Sequence, residues 1–151
     1  MMKTINIKKP LVPRKTVGFD EPNQQTSIIN KIYLNHDTPL RPDIEREINK
    51  KINGYKNQDS KKNILGDLIT FDETIEKLVI SKSRCYYCRE TTKILYVYSR
   101  DPLQWTLDRI DNLKSHSCDN TVICCLQCNL QRRVRDSEKF AFTKQLNIVK
   151  S

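Results

Sequence analysis

Residues 121–133 read TVICCLQCNLQRR, and their interpretation decides the fold. A short β-branched run, Thr121 to Ile123, leads into the step Cys125-x-x-Cys128 and then into an amide and two arginines. A matching step, Cys85-x-x-Cys88, lies upstream in CYYC. Two such steps supply four thiolates, which suits the closed tetrahedral shell of a structural Zn²⁺ ion. The alternative is a set of disulfides. The N-terminus MMKTINIKKPLVPRK lacks the apolar core of a secretory signal, so the chain is expected to be intracellular, where thiols stay reduced and paired cysteines point to metal. Cys124 with Cys128 would be a less usual spacing, and Cys118, alone in a polar loop, is expected to be a free thiol.

Lysine and arginine number 27 against 18 acids, a formal charge of +9 over 151 residues. That balance favours a polyanionic partner, nucleic acid above all. No run of about 18 apolar residues is present, so no membrane partner is expected.

Outward from the cysteines, the chain divides into three expected parts. Residues 1–25 read as a basic flexible tail with Pro10 and Pro13. Residues 26–83 read as a helical lead-in. Ile28, Ile29, Ile32 and Tyr33 have helical spacing, and Ile44, Ile48 and Ile52 form an apolar stripe behind Asp43, Glu45 and Glu47 that should end at Gly54. YKNQDSKKN, residues 55–63, then reads as a solvated loop, and Thr70 with Glu73 fits a capping box opening a helix that buries Phe71, Ile75, Leu78 and Val79. Residues 84–151 form the third part: strands at KILYVYS, WTLDRI and TVICC, followed by a C-terminal helix packing Phe140, Phe142, Leu146 and Val149. Trp105 and the YVYS aromatics could stack on bases, but core packing is the simpler role, and His36 in NHDTP reads as a loop residue.

From Cys85 to Arg133 the order of CYYC, TLDRID, NTVIC and CLQCN with trailing arginines resembles the HNH endonucleases, the ββα-metal nucleases. DPLQWTLDRIDN with HSCDNTVICCLQCNLQRR and FTKQL is similar to HNH proteins of large DNA viruses. The resemblance implies an α+β fold, a zinc-stabilised ββα-metal domain preceded by helices, and divalent-metal-dependent hydrolysis of DNA phosphodiesters. It adds the nucleus or a viral replication site as expected locations.

Carried over by position, Asp108 and Asn129 match the ligands of a catalytic divalent ion such as Mg²⁺, and Asn120 matches the amide that braces the loop. Arg109 occupies the position of the family's proton-accepting histidine and cannot take that role, because it stays protonated. Three readings follow. His116, four residues before Asn120, could be the base, with Asp111 a weaker choice that more simply caps a turn. Arg109 could contact phosphate while the ion itself activates water. Or the domain binds nucleic acid without cutting it. Arg132 and Arg133, with Arg135 extending the patch, are expected to reach the phosphate backbone from a helix beginning near Cys125. A structural or virion role using zinc alone is the third class.

Overall fold

The computed structural model describes residues 22–150, so most of the expected basic tail, residues 1–21, lies outside the described residues. The elements run α1 (Pro22–Tyr33), α2 (Arg41–Lys61), α3 (Phe71–Ile80), β1 (Trp105–Arg109), β2 (Thr121–Cys125), α4 (Leu126–Arg132) and α5 (Ser137–Lys150), with a 3₁₀ turn at Cys118–Asn120. This is an α+β fold: five helices and one two-stranded antiparallel sheet among the described residues. No described helix is long and apolar enough to cross a membrane.

The sheet pairs Trp105 with Cys125 and Asp108 with Val122, and alternation sends its side chains two ways. Trp105, Leu107 and Ile123 join the main core with Ile29 of α1, Ile44, Ile48 and Ile52 of α2, and Ile75 and Leu78 of α3. Val122 and Cys124 turn to a second cluster with Cys85, Tyr87, Cys125, Cys128 and Phe140. The main core thus draws on residues 26–83 and 84–151 alike.

α3 begins where its cap dictates. Thr70 Oγ1 accepts from the Glu73 amide at 3.1 Å, and the Glu73 carboxylate accepts from the Thr70 amide at 2.9 Å. Elsewhere tertiary contacts override local signals. α1 already begins at Pro22, inside the expected tail, because Gln25 is buried and bonded to a distant loop: its Oε1 accepts from the amides of Ile94 and Leu95, and its Nε2 donates to Leu95 O. Those bonds also explain why KILYVYS forms no strand. The side chain of Gln25 takes the backbone groups a neighbouring strand would have used, leaving single bridges at Arg84–Thr91 and Lys93–Gln104.

α2 does not stop at Gly54 but continues to Lys61. Its apolar stripe extends into Tyr55 and Asp59, both on the same face and both engaged by the later half of the chain: Tyr55 Oη accepts from the Leu107 amide at 3.0 Å, and Asp59 bonds to His116. α5 differs as well. Phe140 and Ala141 are buried, but Phe142 and Leu146 face solvent, and the side chain of Val149 lies outside the described set. The inner face is set by Tyr87, whose ring meets Phe140 edge-on at 4.9 Å and whose hydroxyl is 3.2 Å from Ser137 Oγ.

An ordinary mid-helix glycine is a defect, and a Cβ built on Gly54 meets nothing within 4 Å. Gly54→Ala is therefore expected to raise unfolding stability by about 0.5–1 kcal/mol in urea titration. A helix that ended at Gly54 would gain nothing from the change.

Candidate functional site

The four cysteines of the two steps come together: Cys85, Cys88, Cys125 and Cys128 place their sulfurs within 4.8 Å of one another. All are free thiols. Cys88 Sγ lies 3.8 Å from Cys125 Sγ, far beyond a disulfide bond. Zinc–sulfur bonds of about 2.3 Å put the corners of a tetrahedron about 3.8 Å apart, so this edge fits a zinc ion. The backbone prepares the sulfurs to carry charge. Amides of Tyr87 and Cys88 donate to Cys85 Sγ at 3.4 and 3.5 Å, and the Cys128 amide donates to Cys125 Sγ at the N-terminus of α4. Hydrogen bonds from Cys124, Cys125, Cys128 and Cys88 hold the Cys85 thiol well below its usual range, while its neighbours push Cys128 well above. Four thiols this close cannot ionise together without a cation among them, and the cluster could hold a metal ion such as zinc. Cys124 is not one of the four; its thiol lies 3.1 Å from Cys125 O.

A cavity of about 540 Å³ is lined by Asp108 and Arg109 of β1, His116, Asn129 of α4 and Arg133. Asp108 is buried, and both its contacts reach one oxygen: Tyr87 Oη donates to Oδ2 at 2.5 Å and Arg132 Nη1 at 2.6 Å. Among the described residues no hydrogen bond reaches Oδ1. Asn129 is oriented likewise, its Nδ2 donating to Thr106 Oγ1 at 3.0 Å, which leaves its carbonyl oxygen unbonded by the protein. Asn120 spans the loop that follows β1. Its Nδ2 donates to Asp111 O and Ser115 O, and its Oδ1 accepts from the Asp111 amide. Asp111 itself closes a turn, accepting from the Leu113 amide.

Arg132 departs from its expected place at the phosphate backbone. It is 2% exposed. Its guanidinium donates to Asp108, to the carbonyl oxygens of Arg109 and Ile110, and through Nε to Arg135 O. It is a buried strut. Arg133 and Arg135, by contrast, are exposed. Arg109 is half-buried, and its Nη1 donates to Lys114 O at 3.3 Å and lies 3.9 Å from Asp59 Oδ1.

His116 is 3% exposed and stacks on Tyr55 with ring centroids 4.5 Å apart. Its Nδ1 is 2.8 Å from Asp59 Oδ1, and its amide donates to Asp59 Oδ2. Burial pushes the imidazole below its ordinary value of 6.5, against the opposing pull of Asp59. Asp59 is the site residue that sequence reasoning missed, because residues 55–63 read as a solvated loop. A continued helical spacing of four, three and four residues from Ile48 through Ile52 and Tyr55 to Asp59 was the available signal. His36 is an exposed loop residue, and Trp105 is fully buried in the main core.

No family model matches the sequence, and no curated protein or solved structure matches it either.

Two outcomes follow from this geometry. Cys88→Ser is expected to lose bound zinc while Cys124→Ser keeps it, read by elemental analysis of the purified protein. Arg132→Ala strands a buried carboxylate and should cost about 3–5 kcal/mol in urea unfolding, whereas the exposed Arg133→Ala should stay within about 0.5 kcal/mol.

Proposed function

We propose that the protein is an HNH-like, divalent-metal-dependent endonuclease acting on DNA. One observation carries this reading: Asp108, Asn129 and His116, contributed by a strand, a helix and a loop, line a single cavity whose other charged walls, Lys51, Lys62, Arg109 and Arg133, are all basic. The free oxygens of Asp108 and Asn129 are a hard donor pair, suited to Mg²⁺ or a similar ion that would keep its remaining positions for water and phosphate. Such an ion supplies charge neutralisation at the phosphate and makes water more acidic. The cavity shares Leu130 and Arg133 with a second groove of about 810 Å³ carrying Arg135, Lys139 and Lys144, a path for one phosphate backbone.

In the proposed reaction, water oxygen bonds to phosphorus as the ester P–O bond breaks. His116 takes the proton from the attacking water, and the leaving alkoxide is protonated by solvent. Arg109 cannot accept that proton, and Arg133 and Arg135 position the backbone. Arg132 has no part in substrate contact; it aims Asp108.

The second reading is a nucleic-acid-binding protein of the same fold that does not cut. It is favoured by the Asp108–Arg132 pair, in which a guanidinium already balances the carboxylate's charge. Plasmid nicking in Mg²⁺ or Mn²⁺ separates the two. The enzyme reading expects cleavage that Asp108→Ala lowers on the order of 100-fold or more and that the exposed Lys56→Ala leaves unchanged. DNA bound tightly at low salt with no nicking in either ion supports the second reading instead.

The pH response tests the base. A histidine with a pKa depressed below 6.5 is neutral across the neutral range, so the rate should fall only on the acid side of that value and be flat above it. A rate that climbs steadily to alkaline pH assigns the proton to water alone.

A further inference from the structure

The geometry points to Asp59 as the positioning residue for His116, with the Arg109 guanidinium beside the same carboxylate oxygen, so that Nε2 is the nitrogen His116 offers to the cavity.

Three facts carry this. First, Asp59 Oδ1 lies 2.8 Å from His116 Nδ1, and with the carboxylate as acceptor the hydrogen is on Nδ1. Second, the same carboxylate grips the backbone. Asp59 Oδ2 takes the His116 amide at 2.9 Å, so ring and main chain are held by one group. Third, the ring cannot swing away: Tyr55, one turn before Asp59 on α2, stacks on it at an interplanar angle of 17°. With Nδ1 engaged and one ring face covered, Nε2 is left without a hydrogen bond to the described residues, and His116 lines the cavity of Asp108 and Asn129.

Arg109 completes the arrangement. Its Nη1 approaches Asp59 Oδ1 to 3.9 Å, the same oxygen that faces the imidazole. An arginine on β1 next to Asp108 therefore reaches His116 through a carboxylate on α2. The charged and titratable groups facing His116 are Asp59 and Tyr55 from α2 and Asp108 and Arg109 from β1. The residue that cannot accept a proton orients the pair that can. The loop is held from outside too: Ser115 Oγ donates to Asp67 O, and the Ile69 amide donates to His116 O. Gly66, at φ +140°, faces Ser115, where an added Cβ would come within 2.5 Å of the Ser115 hydroxyl.

The assignment rests on the nuclease reading for its chemical purpose but not for its geometry, so the test has two arms. In ¹⁵N-labelled full-length protein loaded with zinc, long-range ¹H–¹⁵N spectra near pH 7.5 should show His116 as the neutral tautomer with hydrogen on Nδ1. Asp59→Ala should remove that signature and give the Nε2–H form that imidazole prefers in water. An Nε2–H or doubly protonated His116 in the parent protein overturns the proposal whatever the activity. In the nicking assay, Asp59→Ala should lower kcat 10- to 100-fold with KM little changed, and Asp59→Glu should recover part of that loss. The double variant Asp59→Ala/His116→Ala should be no slower than His116→Ala alone. An Asp59→Ala effect that persists undiminished in the His116→Ala background assigns Asp59 a different role. A parent protein with the Nδ1–H tautomer and no nicking activity defeats the nuclease reading while leaving the Asp59–His116 geometry standing.

Discussion

Four sulfurs within 4.8 Å of one another are an unstable arrangement until a cation joins them, and much of the remaining structure is attached to that constraint. Thiolate clusters repel; a structural zinc ion returns about 10–16 kcal/mol of apparent binding energy, comparable to the whole stability of an ordinary domain. Because Cys125 ends β2 and Cys128 lies in the first turn of α4, an ion that joined them would also set the angle between strand and helix. Asn129 follows Cys128 directly, and its placement beside Thr106 is a consequence. The first knuckle acts in the same way: Tyr87, between Cys85 and Cys88, carries its hydroxyl to Asp108 and Ser137. The cysteine cluster and the cavity are therefore one mechanical unit.

Within that unit the Asp108–Arg132 pair orients more than it stabilises. A buried ion pair returns little net energy once both groups have left water, but losing one member is costly, so the pair defines one arrangement and penalises others. Arg132 also accepts the task of closing β1, since the carbonyl oxygens of Arg109 and Ile110 have no further strand to meet. That explains why an arginine expected at a phosphate is spent inside.

Much of this was legible in the residues. The two Cys-x-x-Cys steps, the capping box at Thr70 and Glu73, and the strands at Trp105–Arg109 and Thr121–Cys125 are local patterns that no distant contact overrides. What was not legible depended on contacts distant in sequence. Gly54 reads as a helix stop until Tyr55 and Asp59 find Leu107 and His116. KILYVYS reads as a strand until Gln25 takes its amides. Arg132 and Arg133 are adjacent and chemically alike, yet α4 ends at Arg132 and the backbone turns to φ 53° at Arg133, so one side chain meets Asp108 and the other solvent. Asp59 was hidden for the same reason: its helical spacing from Ile52 and Tyr55 marks a face, but only His116 shows that the face is buried there.

The chain has a single tryptophan, and it is placed where it can observe the site. Trp105 is fully buried, and the Lys51 ammonium lies 5.0 Å from its ring centroid while also lining the cavity with Asp108 and His116. The same ammonium donates to Gln104 Oε1 at 3.0 Å and to the Trp105 carbonyl oxygen. Indole emission responds to nearby charge, so an anion that drew this ammonium away would be read optically without a label.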